Sequence, residues 1–294
     1  MGYAQSHKVA ADGRAIEVAT FGDPRGHTVF FHHGSPGCVE TARTFEAVAE
    51  DAGLFFVTMS RAGYGTSARR AGRTVASIVD DTRSVLDAFD RDEYVSVGWS
   101  GGGPHALACA ALDAPRCRKA WSLAGVAPTD VDFDWTEGMG PENVEEFELA
   151  KVAGPDYEGH VEQYAAQFVD ATADNIIEIF GGLLSDVDKA VLADAERRAA
   201  FALSCRHAFA SGWRGFYDDD RAFFANWGFD PTAITVPVEV WYGDNDLMVP
   251  ATHGAWLGAN LPTSSVVYEP GEGHISLVVE HLDELASSFV RAFD

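Results

Sequence analysis

Tyr94-Val95-Ser96-Val97-Gly98-Trp99-Ser100-Gly101-Gly102-Gly103-Pro104 is the stretch from which the fold can be read. Tyr94 to Val97 is an apolar, partly β-branched run of strand character, and residues 102–113 read as a helix. Between them, Gly98 to Gly102 spells G-x-S-x-G, a turn so tight that the positions two before and two after the serine have little room for a Cβ. Ser100 then projects from a strand end onto a helix N-terminus, where free N–H groups and the helix dipole favour developing negative charge. Pro104 suits a first-turn position, where its missing N–H would be unpaired anyway. In a chain with 29 glycines the bare pattern is weak, so the strand–turn–helix setting carries the weight.

On either side, short apolar runs alternate with helical patterns. Residues 15–21, 28–33, 54–59, 120–123 and 238–242 are strand-like, with helical stretches near 40–51, 74–90, 251–259 and 275–292. Such continuous β-branched and aromatic runs fit strands covered on both faces. The alternation predicts an α/β protein with a mostly parallel, doubly covered sheet, whose ligands sit at the carboxyl ends of the strands. From Pro128 to Val236 the text turns helical, acidic and aromatic, and strand text returns at Pro237. The expected layout is a core of residues 1–127 and 237–294 with an inserted helical cap, 128–236. In the insert, Trp135, Phe147, Phe180, Trp213, Phe216, Phe223 and Trp227 read mostly as cap core, two or three facing a pocket. Glu137, Glu142, Glu145, Glu146 and Glu148 read as a solvated helix face, and Asp218-Asp219-Asp220 as a helix start or solvated turn.

Three further strand ends carry polar chemistry. His33-Gly34-Ser35-Pro36-Gly37 follows the run at 28–33, and its turn can aim a backbone N–H at the carbonyl oxygen of a substrate under attack by Ser100. The oxyanion hole is therefore assigned to the N–H groups of Ser35 and Gly101; Pro36 has none to give and fixes the turn. Trp241 to Asp246 follows the run at 238–242, and either Asp244 or Asp246 could orient a histidine. Gly271-Glu272-Gly273-His274 follows the strand-like Val266 to Tyr268, which makes His274 the candidate general base. The chain order serine, acid, histidine is the one expected for this kind of sheet.

These motifs resemble the α/β-hydrolase superfamily from about residue 15 to the C-terminus. Ser60-Arg61-Ala62-Gly63-Tyr64-Gly65-Thr66-Ser67 resembles that family's arginine-containing turn, with Ser60 where the family often has Asp. Gly243 to Pro250 resembles its G-x-x-D-x-x-V-P segment, and that resemblance selects Asp246 over Asp244 as the acid. The nearest group is the proline-iminopeptidase-like one, through His33 to Gly37 and Gly98 to Pro104. The resemblance implies a serine hydrolase with Ser100, Asp246 and His274 as catalytic residues and no cofactor. Haloalkane dehalogenases and epoxide hydrolases of this fold attack with a carboxylate, so a serine at position 100 disfavours those activities. The expected reaction is cleavage of a small carboxylic ester, or a related amide or lactone. The alternatives are an aminopeptidase, a carbon–carbon bond hydrolase, or a non-catalytic small-molecule-binding member of the fold. Trp99, His33 and Trp135 are the substrate-pocket candidates.

Composition sets the remaining bounds. The 45 acidic and 21 basic residues give a formal charge of -24, which argues against nucleic acid as a partner. Arg69, Arg70 and Arg73 form the densest basic spot and read as a solvated loop. No apolar stretch reaches the length of a membrane span and no secretory leader is visible, which leads to the expectation of a cytoplasmic protein. Met1-Gly2-Tyr3-Ala4-Gln5-Ser6 fits the loose myristoylation pattern, outweighed by a composition that looks bacterial. Cys38, Cys109, Cys117 and Cys205 lack CxxC spacing and read as reduced, buried thiols. Neither a metal motif nor a nucleotide motif is present. A small-molecule substrate is the expected partner, and a homo-oligomer is open.

Overall fold

The computed structural model describes residues 5–294; the first four residues of the lipidation pattern lie outside them. Eight strands form one sheet: β1 (Gln5–Ala11), β2 (Arg14–Gly22), β3 (His27–His32), β4 (Leu54–Met59), β5 (Tyr94–Trp99), β6 (Cys117–Leu123), β7 (Val238–Gly243) and β8 (Ser264–Glu269). Their order is β1-β2-β4-β3-β5-β6-β7-β8. From β4 to β8 every pairing is parallel, while β1 and β2 run antiparallel at one edge. The expected α/β architecture is therefore present, with an antiparallel edge added. β1 has no counterpart in the sequence reading, because Gln5, Ser6, His7 and Lys8 give it no apolar run. Its signal is the turn instead: Asp12 and Gly13 both have positive φ and close a two-residue hairpin from Ala11 to Arg14.

The continuous apolar strands are explained by what covers them. Side chains alternate across the sheet, so Val29 and Phe31 enter one core and Phe30 the other. The first face packs against α1 (Glu46–Asp51) and α12 (Leu282–Arg291), through Phe45, Phe56, Trp121 and Phe289. The second packs against α2 (Ile78–Ala88), α3 (Gly103–Leu112) and α10 (Ala251–Asn260). Between β6 and β7 the chain runs through α4 (Pro141–Val152), α5 (Pro155–Phe168), α6 (Ile176–Phe180), α7 (Asp186–Val191), α8 (Ala195–Ala208) and α9 (Arg214–Phe224). The short α11 (Ser276–Val279) precedes α12, so the expected helix over 275–292 is broken in two. All four cysteines are free and buried. Among the described residues no helix is long and apolar enough to cross a membrane.

Two charged stretches are buried where the sequence suggested water. Asp218, Asp219 and Asp220 lie inside α9 with exposures of 4%, 0% and 1%. Arg69 pairs with Asp218 and the buried Arg73 with Asp219, so the basic spot is largely a clamp on the insert rather than a solvated loop. Desolvation of Asp218 and Asp219 is tolerated because each meets an arginine at hydrogen-bond distance, whereas Asp220 meets the Tyr157 hydroxyl.

Candidate active site

Ser100 sits where β5 passes into α3, with φ +58, a left-handed conformation uncommon for a residue with a Cβ. The flanking glycines make that turn possible. A Cβ on Gly98 would stand 2.1 Å from the carbonyl oxygen of Gly102, and one on Gly102 2.1 Å from that of His32. The strand–helix crossing is thus sealed by two hydrogen atoms where any other residue would collide.

The acid and the histidine come from the next strand ends. Asp246 follows β7 and His274 follows β8. His274 Nδ1 donates to Asp246 Oδ2 at 2.7 Å, and Oδ1 of the same carboxylate accepts the N–H groups of Met248 and Val249, both at 2.8 Å. With Nδ1 carrying the proton, Nε2 is left with a free lone pair. Burial alone would lower the His274 pKa; the Asp246 charge and hydrogen bond outweigh it, and the net shift is upward. Asp244, the other acid left open by spacing, is spent at the surface on Tyr268 Oη and the Gly271 N–H.

Trp99 ties the histidine to the nucleophile turn. Its indole N–H donates to the His274 carbonyl at 3.2 Å and its ring stacks on the imidazole with centroids 6.0 Å apart. Ser100 and His274 themselves share no hydrogen bond in this conformation; the link between them runs through Trp99, the residue before the serine. Looseness of this kind is common before a substrate is bound.

Ser35 and Gly101 lie side by side: a Cβ on Gly101 would lie 2.5 Å from Ser35 Oγ. Ser35, Gly101 and Ser100 line one cavity of about 40 Å³ together with Glu146, Phe147, Phe180, Phe216, Asp220 and Phe223. That volume holds about three water molecules. Four of the seven aromatics singled out from the sequence reach this wall, rather than two or three, and Tyr164 joins them. Trp99, His33 and Trp135 are not among its lining residues. Trp99 lies behind it, as described. His33 is fully buried, donating from Nδ1 to the Gly34 carbonyl and accepting the Arg61 N–H at Nε2. Trp135 packs with Met139, Phe147 and Val249 and donates to the Ala127 carbonyl.

Three features of the site escaped the sequence reading. Asp188, on α7, accepts the backbone N–H groups of His274, Ile275 and Ser276 at 2.7–3.1 Å and so anchors the histidine loop from the insert. Its only sequence signal, Ser185 three residues earlier, is a helix-start pattern that says nothing of His274. The second is a carboxyl pair. Glu146 and Asp220 are buried in the cavity wall, where Tyr157 Oη donates to Asp220 at 2.5 Å and Asp220 Oδ1 has no partner. Burial, with the charge and hydrogen bond of Asp220, pushes Glu146 well up; burial and the Asp219 charge outweigh the hydrogen bonds from Tyr157 and Glu146 and push Asp220 to about 8. Glu137, Glu145 and Glu148 are exposed, as expected; Glu146 is buried, and Glu142 is half-buried with its Oε1 accepting the Gly182 N–H at 2.8 Å. The third is Asp219, whose contacts are described below.

Ser60, the departure from the usual aspartate, is structural. Its hydroxyl donates to Glu17 and accepts the Val39 N–H. For metals, Glu269, His281 and Glu284 bring ligand atoms within 4.8 Å of one another at the surface, near β8 and α12.

Comparison with known proteins places this geometry in context. A family model described as the alpha/beta hydrolase fold matches residues 27–173. A non-heme haloperoxidase from Rhodococcus erythropolis is 26% identical over 270 residues, covering 90% of this chain and 91% of that protein. A bromoperoxidase structure from Bacillus anthracis superposes with a TM-score of 0.71 at 18% identity, covering 98% of this chain and 100% of the other. An esterase structure from Rhodococcus sp. ECU1013 gives 0.64 at 20% identity, covering 99% and 98%. At such identities the structural likenesses establish the fold.

Proposed function

The chain belongs to the α/β-hydrolase fold family, and from that premise we propose that it is a serine hydrolase of small carboxylic esters or related amides and lactones. Ser100 attacks the carbonyl while His274 Nε2 takes its proton, Asp246 holding the imidazole tautomer and balancing its charge. The N–H groups of Ser35 and Gly101 receive the oxyanion. Collapse of the tetrahedral intermediate expels the alcohol, protonated by His274, and leaves an acyl group on Ser100. Water activated by His274 then releases the acid and restores the serine. Residues 128–236 act as the cap over this centre.

The observation that supports this reading most is the 2.7 Å His274–Asp246 bond, which leaves Nε2 basic, on a histidine tied through Trp99 to a serine held at φ +58. A serine in that role also keeps the carboxylate-nucleophile chemistries disfavoured. Ser100→Ala should keep its circular dichroism and lose at least about a thousandfold of p-nitrophenyl ester turnover. Covalent labelling of Ser100 by a fluorophosphonate should vanish in the same variant. Turnover surviving in Ser100→Ala overturns the assignment.

A second reading, an aminopeptidase, is favoured by the Glu146–Asp220 pair, two carboxyl groups in the cavity wall without a cationic partner of their own. Amino-acyl arylamides would then be cleaved in preference to uncharged esters, and Glu146→Gln would raise their KM.

A further inference from the structure

The Asp219 carboxylate stands between the insert and residues 33–35. It has no exposure to water. Oδ2 accepts from Ser35 Oγ at 2.5 Å, Arg61 Nη2 at 2.7 Å and Tyr64 Oη at 2.8 Å, and Oδ1 accepts from Arg73 Nη1 at 2.5 Å. Arg61 carries the contact onward. Its Nη1 donates to the His33 carbonyl, and its Nη2 donates to the Gly34 carbonyl at 2.8 Å and to Ser35 Oγ at 2.9 Å. Its backbone N–H closes on the His33 ring. Every one of residues 33, 34 and 35 is therefore held by Asp219 directly or through one guanidinium.

Docking the insert does not require this arrangement. Arg73 already bonds the Gly215 carbonyl on α9, and Arg69 forms a separate two-pronged pair with Asp218. What Asp219 adds is a bond to the hydroxyl of Ser35, the residue whose own N–H is read as an oxyanion donor. Ser35 Oγ also lies against Gly101, the other donor residue, so the Ser35 rotamer sets their spacing. An oxyanion hole works only when its donors are held to within about 0.5 Å of the productive geometry.

We propose that Asp219 is a positioning residue: carried on the insert, it fixes the Ser35 side chain and the His33–Gly34 peptides, so that the oxyanion hole is assembled only while the insert is seated. This rests on the serine-hydrolase reading above. Burial would raise the Asp219 pKa, but Arg61 and Arg73 outweigh it and keep the carboxyl ionised, consistent with a permanent tie.

The test is a kinetic cycle on the full chain with a short p-nitrophenyl ester, checked by the rate of fluorophosphonate labelling. Ser35→Ala keeps the backbone N–H and every ion pair and removes only the hydroxyl link. It should lower kcat about tenfold, with KM changed less than about twofold and labelling slowed in step. Asp219→Asn should lose at least as much, and adding Ser35→Ala to it should cost less than about twofold more. Asp218→Asn, on the same helix but outside the 33–35 contacts, should lower thermal stability and keep kcat. If Asp219→Asn does not fold, Ser35→Ala alone decides. Unchanged kcat and labelling in Ser35→Ala, or independent multiplication of the two losses, overturns the proposal. A wild-type chain that neither labels nor turns over ester refutes the hydrolase reading, and this inference with it.

Discussion

His274 is asked to be a base while buried against a carboxylate. Asp246 stabilises the imidazolium, so the acid limb of ester turnover should lie above pH 6.5, the ordinary histidine value. A pH profile of kcat/KM measures this; half-maximal activity below pH 6 contradicts it. The neighbouring acids give a second check. Asp246→Asn should lose about a thousandfold or more in kcat, because the amide no longer fixes the tautomer. Asp244→Asn, loosening only contacts to Tyr268 and Gly271, should stay within about threefold. Much at this scale was legible in the sequence. Gly98, Gly102 and Ser100 announce themselves because the turn excludes other side chains, and His274 through its place after a strand-like run; strand-end position left Asp244 and Asp246 open, and only the resemblance of Gly243 to Pro250 separated them. The pocket wall was not legible. Which face of Trp99 or Trp135 meets the cavity depends on packing between segments far apart in the chain.

Among the elements, Ser100, Asp246 and His274 follow the carboxyl ends of β5, β7 and β8, and α7 steadies the last of them. Asp188 satisfies three backbone donors at the start of α11. Removing it leaves those donors buried and unpaired, so Asp188→Ala should destabilise the protein by about 2–4 kcal/mol and lower kcat as the histidine loop drifts. Urea denaturation beside ester kinetics would show it; a stability loss below 0.5 kcal/mol speaks against the role. The parallel strands were legible because both their faces are apolar. β1 was not, because an edge strand with one wet face has no such run, although Asp12-Gly13 was there to be read as a hairpin. The Asp218 to Asp220 run misled for a related reason: charge in a sequence suggests water, while Asp218 and Asp219 face Arg61, Arg69 and Arg73 from outside residues 128–236 and Asp220 faces Tyr157.

For the molecule as a whole, the buried Glu146–Asp220 pair ties stability to pH. In the folded state Asp220 keeps its proton to about pH 8, whereas the unfolded carboxyl loses it near 3.8. The folded state thus binds more protons across that window, and stability falls as pH rises through it, by at most about 1.4 kcal/mol per pH unit for one proton. Tyr157, Asp219 and Arg73 face the same pair and set its midpoint. Asp220→Asn should flatten the decline in melting temperature between pH 5 and 8. An unchanged slope would mean that the pair does not govern it. Glu17 acts in the opposite sense. Burial raises its pKa, but bonds from His207, Ser60 and Thr66 outweigh this and hold it at about 2, so its contribution is present above pH 4.5 and lost below.

The cavity beside Ser100 has one more consequence. Its volume is about 40 Å³, and Phe147, Tyr164, Phe180 and Phe216 from the helices between β6 and β7 line it, so under the proposed chemistry those rings would meet the acyl group first. On that reading, discrimination between acyl chains depends on how readily this aromatic roof yields as much as on the contacts made once inside.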